Sequence, residues 1–179
     1  MKMRRLCEII ILLFFCSCAT LQKPSGEKLI SLSKENITRI SGDYENVAKN
    51  DSIFNWMDLL WNQLKYRGVY YEKEKALNTK VHIQVINEKR LEFQLFEGDK
   101  LVKQRIVKGK IKNGFFYKRP ILIIYPFIPL VFGYHTEAHR IGLVGNELVV
   151  YSKWNLWGFA LVAGSEFKNE SKIYYKKKE

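Results

Sequence analysis

The spacing of apolar residues changes period once along the chain. Between residues 52 and 66 the apolar positions Ile53, Trp56, Met57, Leu60 and Leu64 recur at helical intervals, Asp51-Ser52 supplies an N-cap and Gly68 a stop, predicting one amphipathic helix. From Val81 the period becomes two. Val81, Ile83 and Val85 share one face of a strand, and Leu91, Phe93 and Leu95 share one face of the next, with Asn87 to Arg90 turning between them. A turn follows at Glu97-Gly98-Asp99-Lys100. Lys112-Asn113-Gly114-Phe115 carries the Asn-Gly pair that favours a type I′ hairpin, because both residues tolerate positive φ. Further strands are expected at Ala138 to Val144, Glu147 to Ser152, Trp157 to Ala163 and Lys172 to Lys176, with Gly145-Asn146 as a tight turn between the first two. Many short strands, tight turns and a single helix predict a mainly β domain, an antiparallel meander forming a barrel or a sandwich.

The N-terminus follows a different logic. Lys2, Arg4 and Arg5 precede seven uniformly apolar residues, Ile9 to Phe15, and then Cys16-Ser17-Cys18-Ala19, the order of a secretory signal. That apolar stretch is far short of the ~20 residues that a helix needs to cross a bilayer. Phe15-Cys16-Ser17-Cys18 resembles a lipobox, with Phe where Leu is usual. The resemblance implies cleavage before Cys18 and acylation of its thiol, and acyl chains contributing ~0.8 kcal/mol per buried CH₂ make such an anchor lasting. Ala19 after the cysteine lacks the Asp that resembles an inner-membrane retention signal, which implies an outer-membrane, periplasm-facing location. Residues 1–17 are thus expected to be a lipoprotein signal peptide, 18–39 a flexible tether containing Lys23-Pro24-Ser25-Gly26, and 40–179 a single β-rich domain.

Cysteine usage and charge narrow the chemistry. Cys7, Cys16 and Cys18 all fall in or at the end of the signal, so the mature domain has no disulfide, thiol nucleophile or thiolate metal site. The mature chain keeps 27 Lys+Arg against 17 Asp+Glu, a formal charge of +10. Export argues against nucleic acid as the acidic partner and leaves lipid headgroups, anionic glycolipids or an acidic protein surface. Scattered lysines that only keep a β-rich protein soluble and blunt its edges are the simpler explanation of the same excess.

Ser41-Gly42-Asp43-Tyr44 at the entrance to the first expected strand resembles the Gly-x-Trp opening of lipocalin-like barrel domains, with Tyr44 in place of Trp. The resemblance extends loosely from Ile40 to Lys176 and implies a barrel with a ligand cavity.

Two apolar concentrations are candidates for a site. Ile121 to Tyr134 is fourteen residues without a charge, preceded by Lys118-Arg119 and broken by Pro126 and Pro129, so two short strands joined by a Pro-containing turn are expected there. Phe127, Phe132 and Tyr134 in it, with Trp154 and Trp157 of the second concentration, are candidate ligand-binding residues; core packing is the simpler explanation of them. An exposed apolar stretch would act as a lipid-dipping tip or as a cover over a cavity. His135-Thr136-Glu137-Ala138-His139 would put two imidazoles on one helical face, but its setting reads as a turn entering a strand, with solvated histidines. No Gly-x-Ser-x-Gly elbow, phosphate loop or Pro-Cys-x-x-Cys accompanies these residues, so no metal, cofactor or enzymatic reaction is expected. The leading reading is a membrane-anchored binding protein for a lipophilic or acidic envelope component. The alternative is a structural or accessory lipoprotein docking on another envelope protein; an envelope hydrolase would need converging polar groups in a cleft.

Overall fold

The computed structural model describes residues 29–49, 55–63, 70–125, 131–160 and 163–178, together with the backbone but not the side chains of Tyr125, Val131, Phe132, Phe159, Ala160 and Ala163. Cys18, the signal segment and Phe127 lie outside the described residues. The chain is mainly β, an antiparallel meander of ten strands. They are β1 (Leu29–Ile30), β2 (Gly42–Glu45), β3 (Thr79–Asn87), β4 (Arg90–Glu97), β5 (Lys100–Lys112), β6 (Phe115–Lys118), β7 (Ile121–Tyr125), β8 (Val131–Val144), β9 (Glu147–Ala160) and β10 (Ala163–Lys176).

The sheet runs in the order β10-β9-β8-β6-β5-β4-β3-β2. Its two ends approach each other without forming a continuous ladder: Tyr44 bridges Lys177, Lys178 N–H donates to Asp43 O at 2.8 Å and Lys49 N–H to Tyr174 O at 2.9 Å. Side chains from β2 to β6 and β8 to β10 meet in one core that includes Tyr44, Phe93, Phe116, Ile141, Val150 and Tyr175. A sheet whose ends meet over a shared interior is barrel-like. Tyr44 closes this seam, with its ring fully buried and its hydroxyl donating to Ile40 O at 2.8 Å.

The alternating segments pair as their period requires, Val81 opposite Leu95, Ile83 opposite Phe93 and Val85 opposite Leu91. Asn113 and Gly114 both take positive φ, 51° and 80°, between β5 and β6, the type I′ geometry of an Asn-Gly hairpin. Gly145 at φ 60° turns β8 into β9.

Several elements differ from the sequence reading. Within the expected 52–66 helix the described residues form a 3₁₀ turn at Trp56–Asp58 and a short helix α1 at Leu60–Gln63. Leu59, Leu60 and Trp61 are buried, whereas Trp56 and Met57 are exposed, because α1 caps the interior and the 3₁₀ turn before it does not. A second short helix, α2 (Lys73–Leu77), leads into β3. Residues 29–39, read from the sequence as tether, are packed: β1 pairs with Leu143 and Val144, and Leu32 and Ile37 enter the core. The expected strand from Trp157 to Ala163 is divided between the end of β9 and the start of β10.

Candidate functional site

Strand lengths create the site. One edge of β8 serves three short strands in succession, β7 along residues 133–137, β6 at 140–141 and β1 at 143–144. β6 stops at Lys118, whereas β5, its partner from Gly109 to Lys112, continues to Lys100 against β4 alone. The sheet therefore parts between β5 and β7. The opening is a cleft of about 530 Å³, walled by residues 103–108 of β5 and by Lys118, Arg119 and Ile121, with Trp61 of α1 beside them.

Alternation determines what faces it. Arg105 pairs with Phe93 and Val107 with Leu91, so Arg105 projects to the interior side of the sheet, and Lys118 opposite Gly109 shares the inward face of Phe116. Among the described residues five cations line the cleft, Lys103, Arg105, Lys108, Lys118 and Arg119, and none of the described lining residues is acidic. The Arg105 guanidinium stacks 4.2 Å from the Trp61 ring and gives one Nη2 hydrogen bond to Trp61 O. Its Nε and Nη1, together with Lys118 Nζ and Trp61 Nε1, are buried and make no hydrogen bond. Buried donors without acceptors are rare in folded proteins, since each gives up water without replacement. The cost shows in the titration. Burial pulls Lys118 down to about 8, with Glu137 opposing and Arg105 reinforcing, and burial pulls Arg105 down to about 10.

Behind the cleft runs a buried polar chain. Gln63 Nε2–H donates to Met57 O at 2.9 Å, turning its Oε1 to the Ser152 hydroxyl, which donates to it at 2.8 Å. Ser152 Oγ also meets His139 Nδ1 at 2.7 Å, and His139 Nε2 meets Glu137 Oε1 at 2.5 Å. Burial alone would raise Glu137, but the His139 hydrogen bond and the charges of His139, Lys118 and His135 hold it below the ordinary carboxylate range. Serine, histidine and carboxylate in sequence resemble a hydrolytic triad in kind. Here the serine proton is committed to Gln63, Ser152 is buried, and neither Ser152 nor His139 lines the cleft. The chain positions Glu137 near Lys118.

His135, Glu137 and His139 are not in a turn, as the sequence suggested, but in mid-β8, and His139 is buried rather than solvated. On a strand, residues four apart stand roughly 13 Å apart along the same face. Among the described residues no group of three His, Cys, Asp or Glu side chains is placed to hold a metal ion.

The candidate aromatics lie elsewhere. Tyr134 stacks on Trp157 across the β8–β9 pair at 5.8 Å, and Trp154 stacks on Phe167 of β10 at 4.9 Å. Phe132 is in β8, two residues from Tyr134. Tyr134, Trp154 and Trp157 lie in the distal halves of β8 and β9, and none of these three lines the cleft. The structure thus brings together Arg105, Lys118 and Trp61, which the sequence did not single out as a site. The one available signal was Arg105 and Lys103 continuing the inward alternation of Val107. Comparison with known protein families, curated proteins and solved structures gives no match.

Proposed function

We propose that this chain is an envelope lipoprotein, anchored through Cys18 in the outer membrane and facing the periplasm, whose barrel-like domain binds an amphiphilic anion without turning it over. The observation that carries the binding role is the set of buried, unpartnered donors of Arg105, Lys118 and Trp61 around a cleft whose described lining holds five cations and no acid. An anionic headgroup would supply the acceptors these groups lack, and charge-assisted hydrogen bonds are the stronger ones. Trp61, Ile106, Val107 and Ile121 would receive an apolar portion, the usual division of a small-molecule site into apolar wall and few polar fixing groups. The lipocalin-like resemblance at Ser41 to Tyr44 agrees with a ligand-holding barrel. The anchor rests on the lipobox resemblance; among the described residues no helix is long and apolar enough to cross a membrane.

Calorimetric titration of the purified full chain in neutral maltoside with hexyl phosphate and with hexanol tests the cleft. Hexyl phosphate should bind at least tenfold more tightly, and Arg105→Ala should remove that preference. Equal binding of the two, or no binding of either, would overturn the reading. Native mass spectrometry should show a diacylglyceryl adduct that is absent in Cys18→Ser.

A further inference from the structure

Independently of the cleft, the distal halves of β8 and β9 form, with β7 and the first half of β10, a four-stranded arm whose composition is graded along its length. The registers stack its residues in rows. The three outermost rows hold Val131, Ala160 and Ala163, then Phe132, Phe159 and Gly164, then Tyr125, Gly133, Gly158 and Ser165, with no charge among them. The fourth row holds Ile124, the stacked pair Tyr134 and Trp157, and the first charge, Glu166, which pairs with Lys168 at 2.7 Å. Deeper rows add Lys168, then Glu137, then Lys153 ion-paired with Glu170.

Apolar side chains are exposed on both faces of this arm. Leu122 and Ile124 are 62% and 55% exposed on one face, and Leu156 and Phe167 are 40% and 55% exposed on the other. A protein partner covers one face of a sheet, whereas a bilayer surrounds whatever enters it. Three rows at ~3.4 Å each make a charge-free depth of about 10 Å, which matches the roughly 5–10 Å to which interfacial elements sink. The Tyr134–Trp157 pair then falls at headgroup level, where such rings concentrate. Among the described residues β7 and β10 each pair on one side only, and their open backbone edges limit entry to the interface, because unpaired amides do not pass into hydrocarbon. The formal charge of +10 left after residues 1–17 are removed, 27 Lys+Arg against 17 Asp+Glu, favours an anionic surface.

We infer that the end of the β7–β10 arm inserts into the interface of an anionic lipid bilayer. The test places spin labels at Ser165→Cys in the third, charge-free row, at Ile124→Cys and Leu122→Cys in the fourth and sixth rows and, as a control away from the arm, at Ile86→Cys, in the full chain reconstituted into phosphatidylglycerol-containing vesicles. Signal from the native cysteines is subtracted using the unsubstituted protein. These positions are exposed, so the labels leave the core intact. The label at Ser165 should collide several-fold more often with oxygen than with a water-soluble nickel chelate, Ile124 at headgroup level less so, and Leu122 and Ile86 in the reverse ratio. Labels at Ser165 and Ile124 as water-accessible as Ile86 would overturn the inference. So would arm labels shielded from both reagents, which would show the arm docked on protein or on a second copy of the chain.

Discussion

Replacing Lys118 by Met should stabilise the domain while removing its anion site. Lys118 is inward-facing, its Nζ has no hydrogen-bond partner, and burial pulls it from 10.5 to about 8. Because the folded value lies below the unfolded one, the protonated lysine favours unfolding. Below pH 8 both states carry the proton and the full cost stands. Between pH 8 and 10.5 the folded chain releases it while the unfolded chain keeps it, so wild-type stability rises with pH. At 1.36 kcal/mol per unit the cost is about 3 kcal/mol at neutral pH, and relaxation around the Nζ makes ~2 kcal/mol the working figure. Met keeps the stem's packing without the charge. In urea, with a slope of roughly 2 kcal/mol/M, the Lys118→Met midpoint should lie about 1 M above wild type at pH 7 and the gap should close towards pH 10.5. The same variant should lose its preference for hexyl phosphate. A midpoint at or below wild type at pH 7, or a gap indifferent to pH, would refute the claim that Lys118 is held charged and unpartnered for a ligand.

Three further outcomes follow from the same geometry. Arg105→Lys keeps the charge but loses the planar stack on Trp61 and the fork of donors, so hexyl phosphate affinity measured by calorimetry should fall about tenfold, the ~1.4 kcal/mol of one charge-assisted bond. Tyr44→Phe leaves Ile40 O without its 2.8 Å donor at the seam between β2 and β10, and thermal unfolding should report a loss of ~1–2 kcal/mol. Gly114→Ala must hold φ at 80° and bring a Cβ to 2.8 Å from Ser31 Oγ. It should cost ~1–2 kcal/mol by urea denaturation, more than Gly98→Ala, whose φ is 59° and whose Cβ meets nothing within 4 Å.

How far each feature could be read from the sequence depends on the range of the interaction that creates it. The helical spacing over 52–66 predicted one helix, whereas its described residues form a 3₁₀ turn and a four-residue helix, and Trp56 and Met57 face solvent because only the later residues of that segment reach the interior. Leu32 and Ile37 carry no sustained period, so their burial was invisible until β1 found β8. His139 looked like a solvated turn residue and is core, because β8 extends back to Val131 through pairing with β7 and β9.

By itself the sequence determined what adjacent residues decide: the alternation of β3 and β4, the Asn113-Gly114 turn, the positive charge, the absence of cysteine beyond Cys18 and the charge-free run from Ile121 to Tyr134. Only the tertiary structure decided where the cations meet. Lys118 and Arg105 converge because β6 is four residues long and β5 thirteen, a mismatch between strands that parts the sheet and leaves their donors facing a cleft. No local propensity encodes that mismatch, since strand length is fixed by the partner available at each register. The arm arises in the same way: alternation places an apolar residue on one face or the other, and only the registers of β7 to β10 set those residues in rows from a charge-free end to a charged base.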